Sequence, residues 1–171
     1  MAVTSPIVVE PMQLSDVAAV HEIERLSFSS PWPARAFEQE LSTNPMARYV
    51  VARREEQVLG FAGVWLMVDE GHITTFGVHP DWRRRGVGRR LMLELMEIAL
   101  ELGAARMTLE ARVSNSAAQS LYQRFGFEVT GRRSAYYTDD GEDALVMTTP
   151  ELRGPSMQTV LLVERARRKG G

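Results

Sequence analysis

A mixed α/β domain, with antiparallel pairing early and a crossover helix later, is the fold class that three features of this sequence predict. Segments rich in β-branched and aromatic residues alternate with segments whose apolar residues recur every third or fourth position. Tyr49–Arg53 and Val58–Val68 are separated only by the polar turn Arg54–Gln57, as in an antiparallel hairpin. Leu91, Met92, Leu95, Ile98, Ala99 and Leu102 share one face of a four-turn helix over Gly88–Leu102, which Gly103 stops.

The remaining elements follow by the same rules. Ile7–Met12 reads as a short strand, and Ser15 or Asp16 is placed to cap a helix carrying Val17, Val20, Ile23 and Leu26. Pro31, Trp32 and Pro33 stiffen a loop from Ser29, after which Phe37 and Leu41 mark a second helix ended by Asn44–Pro45. Gly71 turns the chain into the strand His72–Val78. Met107, Leu109 and Ala111 alternate with Thr108 and Glu110, giving a strand with one polar face. Ser114–Ser116 can cap a helix through Phe125 that Gly126 breaks, and Glu128–Tyr137 and Asp143–Thr149 form a last pair of strands. The domain is expected to span 1–150. Residues 151–171 form a C-terminal extension in which Met157–Val163 could be one more strand and the basic, glycine-ended Arg165–Gly171 is expected to fray.

Composition narrows the function. A 171-residue chain, 44% hydrophobic and 25% charged, has the makings of one buried core. With 20 Lys+Arg against 22 Asp+Glu its formal net charge is -2, which offers no general attraction for nucleic acid. The absence of cysteine removes disulfides, thiolate zinc sites and a cysteine nucleophile together. No metal is expected, because His21, His72 and His79 are scattered over a helix, a strand and a loop start. With neither a signal-like start nor a run long enough for a bilayer, a cytoplasmic, non-membrane protein is expected.

Two motifs carry chemistry. Behind the strand His72–Val78 comes Arg83-Arg84-Arg85-Gly86-Val87-Gly88-Arg89, which opens the long helix. Glycines let main-chain N–H groups approach an anion, a helix start adds unpaired donors, and arginines reinforce both. The same turn could also be a basic surface loop that only starts a helix. It lacks the Walker A pattern and differs from the dinucleotide fingerprint in having the arginine lead. The second motif is Leu109-Glu110-Ala111-Arg112-Val113-Ser114-Asn115-Ser116-Ala117-Ala118, followed by Leu121-Tyr122 and Phe125-Gly126-Phe127. Read from the residues alone, Glu110 could be a solvated carboxylate, Asn115 a helix cap and Tyr122 a core residue.

R-x-x-G-x-G between strand and helix resembles the pyrophosphate-binding motif of the GNAT acetyltransferases, whose element order matches Ile7–Thr149. The second motif, with Pro31-Trp32, Tyr136-Tyr137 and Gly141-Glu142-Asp143-Ala144, is similar to bacterial ribosomal-protein-alanine N-acetyltransferases. That resemblance implies about seven strands with four helices and splayed central strands, and acetyl-CoA as acetyl donor. It implies that the main chain of Phe76, Gly77 and Val78 holds the pantetheine arm, that Arg83–Arg89 holds the pyrophosphate and that Asn115 touches coenzyme. Glu110 is then the general base and Tyr122 the general acid. Trp32, Tyr136 and Tyr137 could pack against a short peptide entering between the Ser29–Phe37 loop and the Tyr136–Glu142 hairpin, or simply pin two loops to the core. Val113, where the family has a small residue, and the extension beyond Pro150 are departures. The implied reaction is acetyl transfer to a protein N-terminus, such as that of a small-subunit ribosomal protein, by a monomer or weak dimer. Acetylation of an internal lysine or a small amine, and a catalytically idle coenzyme-binding module, are the alternatives.

Overall fold

The computed structural model describes residues 5–28 and 31–170. Ser29 and Ser30 of the anticipated acceptor loop, Met1–Thr4 of the N-terminal stretch and Gly171 of the tail lie outside the described residues. The elements are β1 (Val8–Pro11), α1 (Val17–Ser27), α2 (Ala34–Thr43), β2 (Ala47–Arg54), β3 (Gln57–Met67), β4 (Glu70–Val78), α3 (Val87–Glu101), β5 (Arg106–Arg112), α4 (Ser116–Arg124), β6 (Glu128–Arg133), β7 (Ala144–Thr148) and α5 (Pro155–Lys169). Seven strands form one mixed sheet in the order β1-β2-β3-β4-β5-β7-β6. No helix of the described residues is long and apolar enough to cross a membrane.

The chain divides into two compact units, and β3, β4 and α3 each run from one into the other. The first comprises the chain up to Val64 together with Thr74–Leu95. Val17, Val20 and Ile23 line the buried stripe of α1, and Val50–Ala52 of β2 are buried without alternation, as in a strand covered on both faces. Phe37 lies at the centre, 5.8 Å from Phe61, 6.4 Å from Tyr49 and 5.2 Å from Trp32 between ring centroids. Leu14–Asp16 form a 3₁₀ turn ahead of α1. Asp16 makes no side-chain cap for α1; its carboxylate instead accepts the Gln13 N–H and pairs with Arg53 at 2.8 Å. That ties the start of α1 to β2.

The second unit comprises Trp65–Ile73 and the chain from Met96. β5 buries Met107, Leu109 and Ala111 and turns Arg106, Thr108, Glu110 and Arg112 to the other face. β4 pairs with it in parallel over three residues, Glu70↔Arg106, Gly71↔Met107 and His72↔Thr108. β7 pairs with it antiparallel from Thr108↔Thr148 to Arg112↔Ala144. β6 ends at Arg133, four residues short of the strand expected to reach Tyr137, because the chain turns at Ala135 (φ 49°), whose N–H is held by Asp143.

The C-terminal extension is a correction. Pro155–Lys169 is a fifth helix, so the expected four helices, the additional strand at Met157–Val163 and the frayed tail all give way to it. Apolar runs of this length do not distinguish strand from helix, but Pro155 in the first turn and the spacing of Met157, Leu161 and Glu164 do. Those three residues are buried, while Leu162 and Val163 are exposed. Gly126, at φ +92°, lies so close under Met157 that a Cβ there would meet its sulfur at 2.5 Å. Arg165 forms two hydrogen bonds with Glu97, at 2.6 and 2.9 Å, and Arg153 donates to the carbonyls of Leu100 and Ala104. Leu161→Ala should therefore cost about 2–5 kcal/mol of unfolding free energy, measured in urea. A loss below about 0.5 kcal/mol, the range of ordinary surface changes, would show that α5 lies outside the cooperative core.

Candidate active site

The first unit carries the glycine turn. After Val78, the His79 N–H returns to the Leu59 carbonyl at 2.8 Å, and Pro80–Trp82 form a 3₁₀ turn in which His79 Nδ1 accepts the Asp81 N–H. Arg83 folds back to the Val78 carbonyl at 3.3 Å and to Ser27 Oγ at 3.3 Å. The chain then takes two left-handed steps, Arg84 at φ +61° and Gly86 at φ +82°. At Gly86 a Cβ would meet no atom within 4 Å. Val87 is buried and starts α3, so the N–H groups of its first turn lack intrahelical acceptors. Arg83, Arg84 and Arg85 are exposed. Trp82 has the guanidinium carbons of Arg54 and Arg85 each 5.0 Å from its ring centroid. Helix-start donors, left-handed backbone and exposed guanidiniums together fit a phosphate-bearing ligand.

Upstream of the turn, β4 alternates, with Thr75 and Gly77 buried and Phe76 and Val78 on the half-exposed face. Gly77 has to be small, since a Cβ would lie 2.7 Å from the Phe61 ring. A buried carboxylate supports this region. Glu24, 2% exposed on α1, accepts the Thr75 hydroxyl at 3.0 Å and the Trp32 N–H at 3.2 Å. Burial pushes its carboxyl above the ordinary range against those two hydrogen bonds. Trp32 thus packs its ring against Phe37 at a 40° tilt and is pinned through its backbone.

The second unit carries Glu110. Its Oε2 lies 2.7 Å from His72 Nε2, and its Oε1 lies 3.6 Å from Arg133 Nε. The two side chains are 25% and 12% exposed, so His72 and Glu110 are both within reach of a ligand. The His72 hydrogen bond outweighs desolvation and, with the charge of Arg133, holds the Glu110 carboxyl below its ordinary range. A carboxylate so held is ionised across neutral pH. Tyr122 on α4 is buried, with its ring 5.9 Å from that of Phe127. Burial, followed by the field of Tyr137, pushes its hydroxyl well above the usual phenol value. Asn115 caps α4, its Oδ1 accepting the Ala118 N–H at 3.1 Å.

The loop after β6 is organised by Arg112. Its guanidinium bonds the carboxylates of Asp139, Asp140 and Glu142 at 2.9–3.1 Å and stacks 4.0 Å from the Tyr137 ring centroid. Glu142 in turn accepts the Ser114 N–H at 2.7 Å, and Asp143 pairs with Arg132. The acidic residues of the loop are therefore its internal fastenings. Tyr136 and Tyr137 meet edge to face at 5.1 Å. Burial pushes the Tyr137 hydroxyl up to about 12, and both tyrosines feel the charge of Glu110.

Glu110, Tyr122, Tyr136 and Tyr137 thus belong to the second unit, and Trp32, Phe76–Val78 and Arg83–Arg89 belong to the first or its part of α3. Sequence reasoning missed His72 and Arg133 as partners of Glu110, Arg112 as the organiser of the loop, and Glu24 as the support of Trp32. The one available signal was parity: His72 shares a face with Thr74 and Phe76 on β4, as Glu110 does with Thr108 on β5. Among the described residues no group of three or more His, Asp or Glu side chains could hold a metal ion.

Comparison with known proteins agrees with this geometry. Residues 17–127 match the acetyltransferase (GNAT) family. A relative from Bacillus subtilis is 42% identical over 139 residues, 81% of this chain and 92% of that one. The [ribosomal protein bS18]-alanine N-acetyltransferase of Escherichia coli K12 is 34% identical over 146 residues, 83% of this chain and 96% of that one. The N-alpha-acetyltransferase RimI of Mycobacterium tuberculosis is 36% identical over 150 residues, 84% and 92% of the two chains. Among solved structures, the ribosomal-protein-S18-alanine N-acetyltransferase from Escherichia coli superposes with a TM-score of 0.77 at 29% identity, over 88% of this chain and 97% of that one. With a glycine turn suited to a phosphate-bearing donor and a family match over most of its length, the chain belongs to the GNAT acetyltransferases and is an acetyl-CoA-dependent N-acetyltransferase.

Proposed function

We propose that the chain transfers the acetyl group of acetyl-CoA to the α-amino group of a protein N-terminus, that of a small-subunit ribosomal protein, in the cytoplasm. The observation that carries the choice of amine is the kinship with N-terminal acetyltransferases, and the Glu110 carboxylate, held ionised by its hydrogen bond with His72, is compatible with it. So weak a base suits an easily deprotonated acceptor. An α-amino group titrates near 8 and a lysine near 10.4, so taking a proton from lysine costs this carboxylate about 3.5 kcal/mol more. The names of the E. coli and M. tuberculosis relatives point to the same class of acceptor.

In this reading the N–H groups at Gly86–Arg89, with Arg83, Arg84 and Arg85, hold the pyrophosphate. The main chain of Phe76, Gly77 and Val78 receives the pantetheine arm, and Asn115 contacts the coenzyme while capping α4. Glu110 takes a proton from the acceptor's ammonium, whose freed nitrogen pair attacks the thioester carbonyl. Tyr122 supplies the proton that the departing sulfur needs. Its raised pKa keeps the hydroxyl protonated and makes it a reluctant acid, so it transfers the proton only as charge builds on sulfur. No covalent acyl-enzyme is required, because orientation of the two reactants in one site supplies part of the acceleration. Trp32, Tyr136 and Tyr137 offer aromatic surface to the first residues of the acceptor.

Turnover of acetyl-CoA with an N-terminal peptide panel, set against lysine peptides with blocked N-termini and small amines, tests the acceptor. Faster reaction of lysine or polyamine would overturn the N-terminal reading, and no turnover with any amine would leave a coenzyme-binding module. Glu110→Gln and Tyr122→Phe are each expected to lower kcat about 10²–10⁴-fold with coenzyme affinity retained; near-normal rates would remove their roles. A Cβ at Gly86 meets no protein atom, but a valine there must adopt φ +82° at about 1–2 kcal/mol. The free turn escapes that strain by relaxing and the bound turn does not, so the coenzyme Kd of Gly86→Val, measured calorimetrically, should rise about 5–30-fold. An unchanged Kd would move the pyrophosphate site elsewhere.

A further inference from the structure

We propose that His72 is a positioning residue for acetyl transfer, acting through Glu110. It orients the carboxylate by binding Oε2 and leaves Oε1 as the atom that receives the acceptor's proton. The proposal rests on the reading of Glu110 as the base.

The geometry comes from the strand register. His72 is the last residue of β4 in parallel register with β5, opposite Thr108, and Glu110 lies two residues farther along the same face of β5. The Nε2–Oε2 separation of 2.7 Å is that of a charge-assisted hydrogen bond. Opposite an ionised carboxylate only a donor is attractive, so Nε2 carries hydrogen. A glutamate has three side-chain torsions to restrain, and this contact restrains them from the strand next door. Oε1 is different. Arg133 Nε, at 3.6 Å, is beyond hydrogen-bond length and its side chain is 58% exposed, so a lone pair of Oε1 remains available.

Two N–H bonds of the acceptor's ammonium break on the way to the amide. The first leaves its electron pair on nitrogen for attack while an O–H bond forms at Oε1; the second breaks after attack, and its proton replaces, through solvent, the one that Tyr122 gives to sulfur as the C–S bond breaks. His72 keeps its Nε2 hydrogen throughout. The charged and titratable groups facing Glu110 are His72 from β4, Arg133 from the end of β6, and Tyr136 and Tyr137 from the loop that follows. Without His72, desolvation is left opposing only the charge of Arg133 and the hydrogen bond from the Glu110 backbone N–H, and the carboxyl rises toward its ordinary value.

That rise has a kinetic signature. For an N-terminal-amine acceptor that arrives as ammonium and gives its proton to Glu110, log(kcat/KM) is flat between the Glu110 pKa and the amine pKa. It climbs with unit slope at lower pH, where Glu110 must first lose a proton. The break between the slopes marks the Glu110 pKa. His72→Ala is expected to move the break up by about one pH unit and lower kcat about 10²-fold at unchanged acetyl-CoA Kd. His72→Gln, whose amide can donate from nearly the same place, should restore most of both. In the Glu110→Gln background, His72→Ala should change kcat less than about two-fold, because residues acting as a unit are not additive.

An unmoved break in His72→Ala would overturn the proposal, as would a full further loss in the Glu110→Gln background. If the alanine variant does not fold, His72→Leu against His72→Gln decides on the same readouts. Near-normal turnover of Glu110→Gln would overturn the base itself; a crippled Glu110→Gln beside a normal His72→Ala would overturn His72 alone.

Discussion

The alternation of β5, locked by neighbours on both edges, is the constraint on which the candidate site depends. Met107, Leu109 and Ala111 fill one side, so Thr108, Glu110 and Arg112 have no choice but the other. The five-residue antiparallel register with β7 and the three-residue parallel register with β4 forbid a slip. A one-residue shift would exchange the faces, burying the Glu110 carboxylate in an apolar core and exposing Leu109. Burying an unpaired carboxylate is costly enough that Glu110 itself helps to secure the register.

From that strand two polar systems grow in opposite directions. Glu110 reaches toward β4 and finds a donor in His72. Arg112, two residues on, reaches the loop after β6 and gathers Asp139, Asp140 and Glu142 beneath the Tyr137 ring. Three carboxylates around one guanidinium would repel one another if left to solvent. Arg112, with the Ser114 N–H on Glu142, makes the cluster a folded loop that presents Tyr136 and Tyr137 from a defined base. The loop's negative charge is thereby largely spent on its own architecture. Under the proposed function, recognition of an acceptor then falls to shape and aromatic surface more than to bulk charge.

How far the sequence foretold this depends on the range of each interaction. The hairpin of β2 and β3, the long α3 and the alternation of β5 were legible because each is a periodic pattern within one segment. Glu110, Asn115 and Tyr122 stood out because they share a compact motif, and the Asn115 cap is a contact three residues long. The His72–Glu110 pair joins residues 38 apart in sequence through a parallel register that no local pattern encodes. The same holds for Arg112 and its loop, and for Glu24 holding Thr75 from 51 residues away. α5 was misread for a different reason. Val160, Leu161, Leu162 and Val163 are contiguous and apolar, as a buried strand would be, yet only Leu161 is buried among them because Met157 and Glu164 complete a helical stripe. Glu164, a charged residue on the buried face paired with Arg124, hides that stripe from a count of apolar residues.

Glu110 and Tyr122, the side chains proposed to carry the two proton transfers, are displaced in opposite directions, and under that proposal this has a consequence for selectivity. His72 holds the Glu110 carboxyl low, and burial holds the Tyr122 hydroxyl high. Neither changes its charge near neutral pH, so the site presents a carboxylate and a phenol over the whole range in which its substrates titrate. The acceptor amine does change protonation in that range. At pH 7 roughly a tenth of an α-amine is neutral, against about 10⁻³ to 10⁻⁴ of a lysine. A weak base of fixed charge does not erase that difference; it passes it into the rate. Under the proposed mechanism, discrimination between an N-terminus and a lysine therefore begins in the ionisation of the acceptor, before any side chain of the protein touches it.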